Sequence, residues 1–396
     1  MSSTGVDKRK RADPDPVASI ASRMNLREGE EAVRRVLREV HRMRKVGTKD
    51  LARGARLPIP VTAAIRRELE KGGLLRREGG AVLTPEGEAY VTEVLGLVWG
   101  VNKAPAPRDG GRSPIPDEYT EMLERLRTLS ELRPAAMPQL DQAHATPETS
   151  LRRALYMQEE GDLGGRDVLF LGDDDLTSVA AGLLKVARKL TVVDIDERLL
   201  KVIDEVSMEN GLGIETVCHD LRKPLPEGLM GGFDIVATDP PYTVSGLEVF
   251  LSRGIEALRS LKMSTVYLSF ADKPPLEMLE VHRAITGMGV FVRELIPRFN
   301  EYVGAEMFAN TTSMMRLSTT EDAEPAVKGA YEGAMYTGEV NPTVRVYRCR
   351  CGSEVRVGAG ETYGTVEELK ERGCPSCGAH EGFSLRRRVK LQGDRR

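Results

Sequence analysis

Two periodicities divide the chain. Over Glu30–Met43 apolar residues recur every three to four positions (Ala32, Val33, Val36, Leu37, Val40), the spacing of one helix face. Thr48–Ala52 predicts a short second helix with Thr48 as N-cap. Val61–Lys71 predicts a third, closed by Gly72-Gly73. Leu74–Arg77 and Ala81–Leu83 flank Gly79-Gly80 as a hairpin, and Thr84-Pro85-Glu86 opens another helix. From 161 to 320 the pattern changes to short apolar runs alternating with helical-period segments. Strands are expected at Asp167–Leu171, Leu190–Asp194, Ile214–Cys218, Phe233–Thr238, Ser264–Ser269, Gly289–Ile296 and Ser313–Leu317. Helices are expected at Leu176–Arg188, Glu197–Asn210, Leu247–Leu258 and Pro275–Thr286. Such a βαβ rhythm implies an α/β domain with a mostly parallel, doubly wound sheet.

Between these regions, Ala104–Pro116 reads as a Pro/Gly linker, Asp117–Leu132 as a helix, and Thr146-Pro147-Glu148 as the cap of a helix running to Glu160. The expected organisation is a disordered tail (1–26), a winged-helix-like unit (27–98), a linker and helical connector (99–149), the α/β domain (150–345), and a cysteine-bearing module with a basic tail (346–396). Residues 321–345 are rich in Gly, Glu and Tyr without a clear period. No apolar run approaches the roughly 18 residues that span a bilayer, and no secretory signal is visible, so a cytoplasmic protein is expected. A homodimer is also expected.

Charge changes the picture. Basic residues outnumber acidic ones 26 to 22 over 1–149, acidic outnumber basic 31 to 20 over 150–345, and basic outnumber acidic 11 to 7 over 346–396. An acidic α/β domain favours a cationic small molecule over nucleic acid at its site. The winged-helix-like unit is read first as a dimerisation or packing module, with DNA binding through Ile59–Arg67 as the alternative.

Two loops follow expected strands and should line one pocket, because ligands in open α/β sheets bind outside the carboxyl ends of the strands. One is Gly172-Asp173-Asp174-Asp175; the other is Asp239-Pro240-Pro241-Tyr242-Thr243. Asp194 and Asp220 end two further strands, and can accept from ribose hydroxyls and an adenine amino group respectively, or serve as helix caps and turns. This order of parts is similar to Rossmann-like, class I methyltransferase-type folds. Asp-Pro-Pro-Tyr resembles the motif of enzymes that alkylate amino nitrogens: the Asp239 carboxylate accepts from the nitrogen, Pro240 and Pro241 stiffen the loop, and Tyr242 forms a wall. A methyltransferase usually offers Gly-x-Gly-x-Gly to the methionine carboxylate of S-adenosylmethionine. Three aspartates would repel that carboxylate and attract the ammonium of the decarboxylated donor. One or two aspartates suffice to cap the following helix; the third points to binding.

The combined motifs, with the N-terminal segment, resemble branched-chain polyamine synthases, also called N4-bis(aminopropyl)spermidine synthases, over roughly residues 27–345. The resemblance implies aminopropyl transfer from decarboxylated S-adenosylmethionine to N4 of spermidine, giving N4-aminopropylspermidine and then N4-bis(aminopropyl)spermidine, with methylthioadenosine released. It places the acidic loop on Asp173, Asp174 and Asp175 and the catalytic aspartate on Asp239. Glu301 and Glu306 are where the base would lie if Asp239 proved dispensable. Two other readings compete: an S-adenosylmethionine-dependent amino-methyltransferase acting on DNA or RNA, and a DNA-binding regulator with a degenerate core.

Cys349, Cys351, Cys374 and Cys377 read as a zinc-ribbon-like site with four thiolate ligands, although Cys-Arg-Cys is one residue shorter than the usual C-x2-C. Disulfides are the alternative. His380 is expected to be a bystander and Cys218 a buried strand residue.

Overall fold

The computed structural model describes residues 15–97, 115–303, 311–340, 343–358, 361–364 and 366–390. The expected linker therefore lies outside the described residues except for Ile115 and Pro116, as do Glu306 and the last six residues of the basic tail.

The N-terminal part places helices Glu30–Met43, Thr48–Ala55 and Ile59–Lys71 before a hairpin of β1 (Leu75–Arg77) and β2 (Ala81–Leu83), with Leu75 opposite Leu83. Val33, Val36, Leu37, Leu51, Ile65 and Leu69 fill its core. Two expectations are corrected here. Residues 16–23 are not a tail: Pro16–Arg23 is a helix whose Val17 and Ile20 enter this core, with Asp15 accepting from Val17 N as its cap. Thr48 is not the N-cap. Gly47 holds that position, and Thr48 Oγ1 instead accepts from Arg66 Nη1 at 2.7 Å. The polar side of Glu30–Met43 is buried as well, because it docks on the α/β part through Arg166–Glu31 (2.8 Å).

The α/β part contains β3 (Asp167–Leu171), β4 (Lys189–Asp194), β5 (Ile214–Cys218), β6 (Ile235–Thr238), β7 (Thr265–Phe270), β8 (Val290–Glu301) and β9 (Thr311–Thr319). The strand order is β5-β4-β3-β6-β7-β9-β8. The first five are parallel; β9 pairs antiparallel with β7, and β8 pairs antiparallel with β9 and so runs in the same direction as β7, which makes the sheet mixed. Every residue of β3 is buried. Val168 and Phe170 enter one core while Leu169 and Leu171 enter the other, which makes β3 the axis of a sheet covered on both faces. Burying each such side chain stabilises the fold by about 1.5–3 kcal/mol. The chain runs outward from β3 to β4 and β5, then returns to place β6 on β3's other side. The crevice of this fold class lies at that reversal, outside the carboxyl ends of β3 and β6.

Two smaller differences concern this part. The helix expected over Leu176–Arg188 spans Thr177–Leu183 and ends before Lys185, whose φ of +53° turns the chain toward β4. Cys218 is exposed rather than buried, because β5 is an edge strand and Cys218 is its last residue.

The C-terminal part is a three-stranded antiparallel sheet, β11-β10-β12, built from β10 (Thr343–Cys349), β11 (Glu354–Gly358) and β12 (Phe383–Lys390). Its core of Cys349, Val355, Val357, Tyr363, Leu369, Cys374 and Ala379 is separate from the others. Among the described residues, no helix is long and apolar enough to cross a membrane.

Candidate active site

The two aspartate loops leave adjacent strands, since Leu171 of β3 pairs with Thr238 of β6. Gly172 continues β3 at φ +72°, a left-handed conformation that favours glycine, and its N–H donates to Val193 O. The three aspartates after it have three different surroundings. Asp173 Oδ1 accepts from Thr177 N (2.8 Å) and Oδ2 from Ser178 N (3.1 Å), so it caps the following helix. Asp175 accepts from Arg153 Nη1 (2.6 Å) and Ala145 N (2.5 Å). Asp174 takes neither role, and its Oδ2 is buried without a hydrogen-bond partner among the described residues. Leu176 holds the loop in place: at φ +56° it bears a conformation costing about 1–2 kcal/mol, offset by complete burial of its side chain.

Asp239 accepts from three side chains. Oδ2 accepts from Arg153 Nη2 (2.8 Å) and Tyr302 OH (2.6 Å), and Oδ1 accepts from Tyr242 OH (2.9 Å). Tyr242 is thus more than a wall: it donates to Asp239 and packs edge-on against Phe270 at 5.5 Å. Pro240 and Pro241 are buried beside it. Thr243 then caps the next helix by accepting from Gly246 N (2.9 Å).

Two hollows meet at Gly172 and Asp239. The outer one, about 550 Å³, is lined by five carboxylates (Asp141, Asp174, Asp194, Asp220, Asp239) with Phe250 and Tyr336, and among the described residues no arginine or lysine forms its wall. The inner one, about 360 Å³, is lined by Arg153, Asp173, Asp175 and Asp239 with Phe170 and Tyr267. Burial pushes Asp173 up to about 7 and Asp239 up to about 6, the latter against the opposing pull of Arg153. Asp174 is held well above the usual carboxylate range, first by burial and then by Asp175, Asp194 and Asp239. Burial also raises Asp194. Two of these acids have a cation beside them, Arg153 on Asp239 (2.8 Å) and Arg222 near Asp220 (4.0 Å); the raised pKa values of Asp174 and Asp194 mark acids without one, whose charged forms an incoming cation would favour.

Asp194 and Asp220 sit in the outer hollow as expected and also make local bonds. Asp194 accepts from Asp196 N and Asp173 N, and Asp220 from Arg222 N. Glu301 is exposed at the end of β8. The sequence reading missed Arg153, Asn300 and Tyr302, and it missed Asp141 and the roof. Arg153 does carry a signal: it lies three or four residues from Ser150, Leu151's neighbour on the same stripe, and from Met157, on the buried side of helix Pro147–Glu159. The roof comes from the segment without a period. Thr243 Oγ1 donates to Met335 O (2.5 Å), Ser245 Oγ donates to Ala334 O (2.8 Å), and Asp141 accepts from Thr337 N (2.6 Å).

In the C-terminal part the Sγ atoms of Cys349, Cys351, Cys374 and Cys377 all lie within 4.8 Å of one another. Cys349 and Cys377 are 3.7 Å apart and Cys351 and Cys374 3.9 Å, too far for disulfides. A tetrahedral zinc with bonds of about 2.3 Å spaces its sulfurs by roughly 3.8 Å, so the donor set fits. His380 is exposed, with Nδ1 against Lys370 O.

A sheet of this order with its pocket at the β3/β6 reversal defines a Rossmann-like, methyltransferase-type transferase fold. The family model for the branched-chain polyamine synthase A C-terminal domain matches residues 121–354, and the chain belongs to that family. An uncharacterized protein of Methanocaldococcus jannaschii is 41% identical over 95% of this chain and 94% of its own. The N(4)-bis(aminopropyl)spermidine synthase of the same organism is 36% identical over 62% of this chain and 71% of its own. The Thermococcus kodakarensis enzyme of that name is 35% identical with the same coverage. The solved Thermus thermophilus branched-chain polyamine synthase, in complex with N4-aminopropylspermidine and 5'-methylthioadenosine, superposes with a TM-score of 0.51 at 26% identity, covering 82% of this chain and 98% of its own.

Proposed function

We propose that the chain transfers aminopropyl groups from decarboxylated S-adenosylmethionine to N4 of spermidine, giving N4-aminopropylspermidine and then N4-bis(aminopropyl)spermidine. The observation that carries this reading is the outer hollow: five carboxylates without a described cation in its wall, opening on the Asp-Pro-Pro-Tyr carboxylate. Its relatives' names agree with it. Asp194 and Asp220 hold the adenosine of the donor, and Asp174, the one member of the acidic loop with an unpartnered oxygen, meets its ammonium. Asp173 and Asp175 support the loop through the helix cap and Arg153.

The transfer needs little from the protein beyond position and charge. The neutral acceptor nitrogen forms a bond to the methylene beside the sulfonium. The carbon–sulfur bond breaks, its electron pair stays on sulfur, and methylthioadenosine leaves. Asp239 Oδ1, which among the described residues accepts from Tyr242 alone, has room for the nitrogen's N–H; it orients the amine and takes its proton. A tertiary N4 has no N–H, so in the second transfer Asp239 stabilises the developing ammonium by charge alone.

Methyl transfer to nucleic acid is disfavoured by the acids around Asp239 and by the lack of a cradle for the methionine carboxylate. The deciding experiment incubates the protein with spermidine and either donor and identifies amines by mass fragmentation. Branched products with the decarboxylated donor are expected; linear spermine, or methylated amines from S-adenosylmethionine, would overturn the reading.

The accompanying parts are read as follows. The three helices and hairpin of 27–98 form a winged-helix-like packing unit, 150–345 the catalytic domain, and 346–396 a ribbon with one structural zinc on its four cysteines. The protein works in the cytoplasm as a dimer.

A further inference from the structure

Arg153 is a cation placed where the proposed substrate is itself a cation. Its side chain is 6% exposed, and its guanidinium is held on every side. Nε donates to Asn300 Oδ1 (2.8 Å), Nη1 to Asp175 Oδ2 (2.6 Å), and Nη2 to both Asp239 Oδ2 and Tyr302 OH (2.8 Å each). Tyr302 OH also donates to Asp239 Oδ2 (2.6 Å), which closes the ring of bonds. A buried guanidinium with this many partners does not swing aside for a ligand.

The placement is costly for polyamine binding and useful for polyamine chemistry. A free alkylamine titrates near 10, as lysine does, so at neutral pH the acceptor arrives as an ammonium, which cannot attack. A lone buried carboxylate beside it would hold the proton more firmly, by about 1–3 pKa units. Asp239 and Asp175 together would do so twice over. Arg153 bridges both and removes most of that pull, while Asp141, the outer-hollow carboxylate not assigned to the donor or the base, is left for another ammonium group.

We propose that Arg153 is a positioning residue that turns the Asp239 carboxylate from an ammonium trap into an acceptor for a neutral amine, so that the reacting nitrogen sheds its proton on entering while the rest of the polyamine stays charged. This rests on the acceptor reading above. The charged and titratable groups facing Asp239 and Arg153 come from several elements. The loop after β3 brings Asp173, Asp174 and Asp175, and Asp194 ends β4. Tyr242 follows β6, Tyr267 is on β7, and Tyr302 follows β8. From the connector, Arg133 lies behind the acidic loop, donating to Asp174 O (3.4 Å), and His144 lies nearby, its pKa lowered chiefly by burial and then by Arg133. Among these, only Arg153 bonds to Asp239 as a cation.

The test compares the wild type with Arg153→Lys and with the double variant Arg153→Met/Asp175→Asn, which removes cation and partner together so that no buried carboxylate is stranded at 175. Spermidine affinity and protons released on binding are measured by calorimetry in two buffers of different ionisation enthalpy, and kcat and KM from pH 6 to 10. The wild type should release more protons on binding spermidine than the double variant. The double variant should bind spermidine as tightly or more tightly at pH 7, lose at least tenfold in kcat there, and recover much of the loss by pH 9–10, its ascending limb displaced upward by about one pH unit or more. Arg153→Lys should keep the wild-type profile within a few tenths of a unit. Equal loss of kcat at every pH, with no change in proton release, would leave Arg153 a merely structural residue and overturn the proposal. Failure of the wild type to bind spermidine would instead overturn the acceptor reading on which it rests.

Discussion

Asp239 and Asp174 are carboxylates of one pocket with opposite surroundings. Asp239 has three donors around it, whereas Asp174 has an oxygen with none. Replacing each by asparagine therefore separates chemistry from binding. Asp239→Asn should fold and bind the donor yet lose about 10²–10⁴-fold in kcat, the usual contribution of a positioned base; near-normal turnover would move the base elsewhere. Asp174→Asn should be the more stable protein. Asparagine removes the buried charge that burial and the neighbouring Asp175, Asp194 and Asp239 disfavour, and each pKa unit of that penalty is worth about 1.4 kcal/mol, so a rise of at least about 2 °C in the unfolding midpoint is expected at pH 8. The sign with pH follows from the raised pKa. The penalty is full above the folded-state value, shrinks as pH falls, and vanishes below the unfolded value near 4, where Asp174 is neutral in both states. The gain in midpoint should fade in parallel. Donor affinity should drop about tenfold or more, the value of one charge-assisted bond. A midpoint unchanged at pH 8 would show that solvent already satisfies Asp174. The division of labour within Asp173–Asp175 could not be read from three identical letters, because it depends on which side chain faces the helix end, which faces Arg153 and which faces the hollow.

The strands and the motif-bearing loops were legible, and the roof and the counter-cation were not. Short runs such as Val168–Leu171 announce a buried strand because they are apolar on both faces, and the acids end up at strand termini simply by following them. The segment 331–340 has no repeating pattern because its backbone is held by side chains distant in sequence: Thr243, Ser245, Asp141, and the Arg222 guanidinium 5.1 Å over the Tyr336 ring. Its anchoring predicts a role in substrate retention. Thr243→Val removes the hydroxyl that donates to Met335 O and accepts from Gly246 N. KM for the donor should rise at least fivefold with a smaller change in kcat, and Thr243→Ser should restore it. Steady-state kinetics check this, and unchanged KM in Thr243→Val would show that the segment does not govern access to the pocket. Arg153 escaped notice for a different reason. Beside Arg152 it looks like one of a pair of surface charges, and only the phase of helix Pro147–Glu159 turns it inward.

At the scale of the whole chain, negative charge is concentrated in the part that holds the pocket, where residues 150–345 carry 31 acidic against 20 basic residues. The C-terminal part shares neither that charge nor that core. Its core, seven buried residues among those described, is too small to hold a module of about fifty residues alone, since domains near that size usually need a metal, disulfides or a partner. The four sulfurs have the spacing of a metal site and not of disulfides. The family model ends at residue 354, before Cys374 and Cys377, so this part has to be understood from its own chemistry. Purified protein should contain one zinc per chain by metal analysis. A strong chelator should then unfold β10–β12 selectively, because zinc binding and folding of so small a module are one equilibrium. Limited proteolysis with mass detection should show new cuts confined to residues after 342, while the unfolding midpoint of the α/β part and KM for the donor stay unchanged. The roof segment ends at 340, so loss of donor binding together with zinc would mean that the ribbon supports the roof. Absence of zinc, with the cysteines oxidised to disulfides, would refute the metal site itself.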